Sequence, residues 1–194
     1  MKQQRSRDRH TALVTAAADL LAEEGWSELT HRRLTARTGV ALSTITYYFD
    51  GIDELVVQAA ADLGRRHIDR ARTLVDALPH RRASAARAAG LVVEVLVGPA
   101  ATPQSLQPLY ERYLRAGRTP ALRELVTTWN ADLRALAGEV LERTGHPASR
   151  PQVHLLVAAL DGLLVTGLAE GREDVVAYAV RTATPLVPDV HPIG

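Results

Sequence analysis

Residues 29–55, LTHRRLTARTGVALSTITYYFDGIDEL, restrict the fold of this chain most, because two short helical patterns are set either side of one glycine. Thr30 suits the N-cap of a helix over about 32–37, where its hydroxyl can take a free backbone N–H. Gly39 supplies the positive φ of a sharp corner, and a second short helix follows over about 42–49. Helical spacing predicts Leu34, Val40, Leu42, Ile45 and Phe49 on an inner apolar face. Thr30, His31, Arg32, Ser43, Thr44, Tyr47 and Tyr48 are then left outward, and these are residue types that contact phosphates and base edges. Between Leu29 and Phe49 stand Arg32, Arg33, Arg37 and His31, with no acid among them.

The rest of the chain reads as helix throughout. Leu13, Ala16, Ala17, Leu20 and Leu21 recur at helical spacing over about 8–24, ahead of Gly25, and Trp26 is expected to pack under the helix end. A long amphipathic run through Val56, Ala60, Leu63, His67, Ala71, Leu74 and Leu78 follows Asp53 and stops at Pro79. Further helices are expected over about 82–97, 103–116, 120–144, 150–168 and 173–183. Thr102-Pro103 reads as an N-cap followed by a first-turn proline, and Thr119-Pro120 repeats that signature. The segment LVVEVLV is apolar nearly all round and should be buried, and the tail PLVPDVHPIG should be extended or disordered. No segment alternates as a strand does, so the fold class is all-α with about nine helices.

An apolar content of 46% in 194 residues is ample for a substantial core, and the formal net charge of +1 does not by itself indicate a nucleic-acid partner. The absence of cysteine excludes disulfides and thiolate metal sites. Neither a signal-peptide h-region nor an apolar run near the roughly 20 residues of a membrane span is evident, so a cytoplasmic protein without membrane contact is expected. Residues 1–9 carry Lys2, Arg5, Arg7 and Arg9 against Asp8 alone. Two readings stand: a solvated terminus, or a basic arm following a phosphate backbone.

The first helix, the corner at Gly39, and the run Thr44-Ile45-Thr46-Tyr47-Tyr48-Phe49 before Asp53-Glu54-Leu55 resemble the DNA-binding domain of TetR-family transcriptional regulators. The resemblance covers residues 8–60 and implies an N-terminal three-helix, helix-turn-helix domain over 1–52. It also implies a helical bundle over 53–194 that binds a ligand and pairs two subunits. By that resemblance Thr30, His31 and Arg32 meet phosphates from the supporting helix, while Ser43, Thr44, Thr46, Tyr47 and Tyr48 belong to the recognition helix. Many members have tyrosine where this chain has Thr46, and Tyr47 then takes the anchoring role. The family commonly sets a lysine where this chain has Ile52, and losing that cation lowers affinity and its salt dependence by about one counterion.

For the ligand, Tyr110 and Tyr113 lie on one helical face, and Trp129 stands on the next helix with Leu125, Val126 and Leu133. They read equally as ordinary core or as the wall of a site for a hydrophobic or aromatic inducer, with Asn130, Thr127 or Thr128 to orient it. Val153, Leu156, Leu160, Leu163, Leu164 and Leu168 are expected at a homodimer interface, helped by the small Ala158, Ala159, Gly162 and Gly167. His154 and Asp161 share a face without a third ligand, so no metal, cofactor or catalytic site is assigned. The expected partners are a palindromic double-stranded operator, a small-molecule inducer and a second copy. A helical binding module without operator recognition, or less favourably an enzyme, remains the alternative.

Overall fold

The computed structural model describes residues 2–189, and among them nine α-helices, one 3-10 turn and no strand occur. The helices are α1 (Lys2–Glu23), α2 (His31–Thr38), α3 (Leu42–Tyr48), α4 (Ile52–Asp76), α5 (Ala85–Val97), α6 (Pro103–Arg118), α7 (Pro120–Arg143), α8 (Arg150–Ala169) and α9 (Val175–Ala183). Several begin and end as their sequences direct. The Thr30 hydroxyl accepts from Arg33 N at the start of α2, and Gly39, at φ 69°, closes that helix by donating to the Thr35 carbonyl. Ser84 caps α5 in the same way. Ser149 and Gln152 form a reciprocal capping box ahead of α8.

Several expectations need correction. Helix α1 begins at Lys2 and not near Asp8, so the basic N-terminal segment is helical within the described residues. The tail does not stay free as far as Asp189: Thr184–Leu186 form a 3-10 turn, Val187 is buried, and the Pro188 carbonyl lies 2.9 Å from His146 Nδ1. Its last residues, 190–194, lie outside the described residues. Leu42 is not on the inner face. At the first position of α3 it is 51% exposed, since a helical side chain leans towards the N-terminus and no preceding turn of α3 lies beneath it.

The chain divides into two compact units. The first comprises Met1–Arg66 with Gln107–Thr127. Its core joins Leu13, Leu20, Leu21, Trp26, Leu34, Ile45, Phe49, Leu55 and Ala59 to Ala116, Leu122 and Val126. Burying such side chains contributes about 1.5–3 kcal/mol each. Polar ties then fix the register: Trp26 N donates to Glu111 Oε2 at 2.7 Å, and Arg115 donates to the Trp26 carbonyl. Arg37 makes two hydrogen bonds to Glu23, and Arg33 pairs with Glu24 and Glu28. Both arginines are thus engaged in holding α2 against α1 and its following turn.

The second unit comprises His67–Leu106 with Thr128–Gly194. As the sequence indicates, the apolar run of α5 is buried at Leu91, Val92, Val93, Val95 and Leu96. Helix α8 packs along α9 at Gly167, where a Cβ would stand 2.7 Å from Val175 Cγ2. His146 lies 3.0 Å from the Ala83 carbonyl through Nε2. Helix α8 is long and apolar enough, by length and composition, to cross a membrane. That corrects the expectation that no run approaches that length. About 33% of the apolar window of α8 is buried, with Leu156, Leu160 and Leu164 among the core residues.

Candidate nucleic-acid interface and effector region

Helices α2 and α3 meet at Gly39 with Leu34 and Ile45 fully buried between them and the rest of the unit. With the inner faces so fixed, the outer face of α3 is determined. It presents Leu42, Ser43, Thr46 and Tyr47 to solvent, and Thr44 is half-buried. Tyr47 stands out most, at 79% exposure. The Thr46 hydroxyl is turned back to the carbonyls of Leu42 and Ser43. On α2, Thr30 and Arg32 are exposed and His31 is half-buried. Among the described residues Arg32 has no ion pair, unlike Arg33 and Arg37.

Tyr48 behaves differently from its neighbour. Its ring is set edge-on to Tyr47 at 5.1 Å, and its hydroxyl lies 3.1 Å from Ser6 Oγ on α1. His10, one turn further along α1, stacks on Phe49 with centroids 4.9 Å apart and meets Tyr48 edge-on at 5.9 Å. Sequence reading missed both the outward setting of Leu42 and the contacts that Ser6 and His10 make with Tyr48 and Phe49. A signal for the second was present, since residues six and ten share a helical face.

The residues expected around a ligand do not share one compact unit. Tyr110, Tyr113, Leu125 and Val126 belong to the first, where Val126 is core, and Trp129, Asn130 and Leu133 to the second. In the first, the rings of Tyr110 and Tyr113 lie 5.9 Å apart, and the buried Arg112 sets its guanidinium 4.6 Å from the Tyr113 ring centroid. Arg112 also donates to the Leu109 carbonyl and the Tyr113 hydroxyl. The 3.6-residue pattern gave no reason to expect a buried cation there. In the second unit, His67 meets the buried Trp129 edge-on at 5.6 Å and lies 3.0 Å from the Val95 carbonyl through Nε2.

Two cavities open in that second unit. His67, Arg70, Ala71, Leu74, Glu94 and Gly98 line one of about 290 Å3. A wider cleft of about 800 Å3 between α7 and α8 is lined by Ala131, Arg134, Ala135, Gly138, Glu139, Arg150 and His154. Of the residues expected at a subunit interface, Val153, Leu156, Leu160 and Leu164 are buried inside the protomer, and only Leu163 and Leu168 keep partial exposure. The large apolar side chains that α8 leaves exposed are Leu155, at 60%, and Val165, at 44%. No group of three His, Cys, Asp or Glu side chains suited to a metal occurs among the described residues.

A short exposed helix held across a glycine corner from a supporting helix defines a DNA-binding regulator of the helix-turn-helix class. Residues 13–59 match the model for bacterial regulatory proteins of the tetR family, and residues 83–188 match that for the tetracyclin repressor-like C-terminal domain. The chain therefore belongs to the TetR family of transcriptional regulators. It is similar to the multidrug binding protein EbrR complexed with imidazole, at 26% identity and a TM-score of 0.70, over 96% of this chain and 98% of that one. The proflavin complex of EbrR aligns at 27% identity and a TM-score of 0.67, covering 92% and 99% of the two chains. A TetR-family member from Streptomyces coelicolor A3, SCO1917, aligns at 26% identity and a TM-score of 0.61, covering 95% and 99%. No curated protein matches the chain.

Proposed function

We propose that this regulator is a repressor that binds a palindromic operator as a homodimer and is released by a small aromatic or otherwise hydrophobic inducer. The observation that carries the reading is the outer face of α3, where Tyr47 projects with Leu42 and Ser43 beside it and Arg32 stands free on α2. Such a face offers a hydroxyl and an aromatic edge to phosphate and sugar, and an apolar contact for a thymine methyl. A functional division at residues 52/53 fits this role, with everything that reads DNA ahead of α4.

Pairing through α8 follows from its unspent surface. Leu155, Ala158, Gly162, Val165 and Thr166 are exposed, with Leu163 half-buried among them. A stripe of small and apolar residues along one helix is suited to the same stripe on a second copy, related by a two-fold axis. The same two-fold would set two recognition helices on half-sites about one helical turn, or a multiple of it, apart.

The inducer is assigned to the region of His67 and Trp129. His67 lines the smaller cavity while its ring contacts Trp129. EbrR binds imidazole and proflavin, which supports an aromatic ligand class for a relative of this similarity. His67 also opens the second unit on the helix that begins beside the DNA reader. A ligand that prefers one setting of α4 biases the protein towards a state that no longer fits the operator, by its difference in affinity for the two states.

A gel shift with the DNA flanking its own gene tests the reading. Saturable, palindrome-dependent binding that an aromatic effector reverses is the expected result. Binding blind to sequence, or none, would remove the repressor assignment.

A further inference from the structure

The first two turns of α1 carry three arginines that nothing in the fold employs. Arg5, Arg7 and Arg9 are all exposed, and none forms an ion pair among the described residues. The acid within this segment, Asp8, accepts a hydrogen bond from Gln4. Arg5 and Arg9 stand four residues apart on one flank of the helix, a like-charge arrangement that weakens an isolated helix. An intrinsic preference for helix therefore does not explain why the chain orders here.

Contact with the DNA reader does explain it. Ser6 Oγ meets the Tyr48 hydroxyl at 3.1 Å, and His10 stacks on Phe49. Ser6 and His10 are on one face of α1, so this face is docked at the C-terminal end of α3, and Arg5, Arg7 and Arg9 emerge on either side of it. These side chains thus belong to the same compact unit as the recognition helix. Of the arginines on α2 only Arg32 is without an ion pair among the described residues, as Arg33 and Arg37 are bound by Glu23, Glu24 and Glu28, and Ile52 brings no charge to the start of α4.

We propose that the N-terminal turns of α1 are a second DNA-contacting surface, in which Arg5, Arg7 and Arg9, set by the Ser6–Tyr48 and His10–Phe49 contacts, bind backbone phosphates flanking each half-site. This rests on the reading of the protein as a DNA-binding repressor. The surface is an ordered extension of the recognition unit and not a free arm. It reads charge and contributes nothing to base choice.

Salt dependence isolates such a surface, because each phosphate neutralised adds about 0.9 to the slope of log K against log salt. Full-length protein is titrated against a duplex carrying the palindrome from its own upstream region and against a scrambled duplex of equal length. The variant R5Q/R7Q/R9Q is expected to flatten the slope by about two or more on both duplexes while keeping the palindrome preference. The variant R5K/R7K/R9K retains the charges and should restore the slope, which separates lost contacts from lost helix. A smaller change in slope, or failure of the lysine variant to restore it, overturns the proposal. Wild-type protein that binds both duplexes equally would instead overturn the operator reading, and the slopes would still decide whether these arginines meet phosphate.

Discussion

Tyr47 and Tyr48 are consecutive on α3 and touch edge to face at 5.1 Å, yet one is 79% exposed while the hydroxyl of the other is held at 3.1 Å by Ser6. The sequence reading expects DNA contact from both, whereas the structure leaves Tyr47 open and ties Tyr48 to α1. Tyr47→Ala should leave the melting temperature unchanged, since little buried area is lost, and weaken operator binding by about 1–3 kcal/mol. Tyr48→Phe keeps the ring and removes only the bond to Ser6. It should lower affinity through loosened α1 turns without altering sequence preference. Fluorescence anisotropy on matched and mismatched duplexes checks both, and an unchanged affinity for Tyr47→Ala would remove the assignment of α3 as reader.

Leu42 extends the same face. An exposed leucine at the first turn of a recognition helix has an apolar surface that a thymine methyl can cover. Leu42→Ala should keep its stability and lose discrimination at one base pair of each half-site, read by substituting uracil for thymine along the operator. Equal loss at every position would mean that Leu42 does not touch a base.

Ile52 offers the converse test. It is half-buried at the first position of α4 and packs against the core of the first unit, where the family commonly has a lysine. Ile52→Lys adds one cation per protomer and should steepen the salt dependence of operator binding by the dimer by about 1.8. A cation at a helix N-terminus and the lost packing should together lower stability by about 1 kcal/mol. A salt titration beside a thermal melt measures both.

Gly167 governs the packing of α8 on α9. In Gly167→Ala the new Cβ would stand 2.7 Å from Val175 Cγ2, so the buried Val175 side chain or its helix must shift. The expected cost is about 1–3 kcal/mol by urea denaturation. Val175→Ala should relieve the clash, so that the double variant loses less than the sum of the two singles. Simple additivity would show that the two residues do not meet.

Acid should unfasten three surface ties together. The hydrogen bonds from Arg37 hold the Glu23 carboxyl below its ordinary value, Arg72 does the same for Glu139, and Arg181 for Asp174. A carboxylate depressed in the folded state adds stability above its unfolded value and loses it as pH falls through the folded one. Stability should therefore decline below the ordinary 4.5 of Glu23 and Glu139, and the 3.8 of Asp174. Exposure and salt keep each contribution small. Arg72→Gln should make the decline shallower in a pH series of thermal melts, and an identical pH profile would show that the Arg72–Glu139 pair adds nothing.

The residues that made the reader legible are those whose effect is local. Gly39 can take its positive φ, Thr30 can cap, and the spacing of Leu34 and Ile45 fixes which side of two short helices faces inward, all within one short segment. The same holds for the capping box at Ser149 and for the wholly apolar α5. Periodicity names a buried face without naming what covers it. It therefore did not separate Val153, Leu156, Leu160 and Leu164, which are covered inside the protomer, from Leu155 and Val165, which are exposed. Val126 was in the same position, as an apolar residue that reads equally as pocket wall or core and is core.

What the sequence by itself determined is an all-α chain with an acid-free helix-turn-helix near its start, because helix capping and hydrophobic period act over a few residues. The tertiary structure alone decided which charges and rings remain available. Arg33 and Arg37 are bound by Glu23, Glu24 and Glu28, Tyr48 is drawn to Ser6, and Arg112 is buried beside Tyr113. Some of these pairings join residues far apart in the chain, and such partners are chosen by packing geometry that no local pattern encodes.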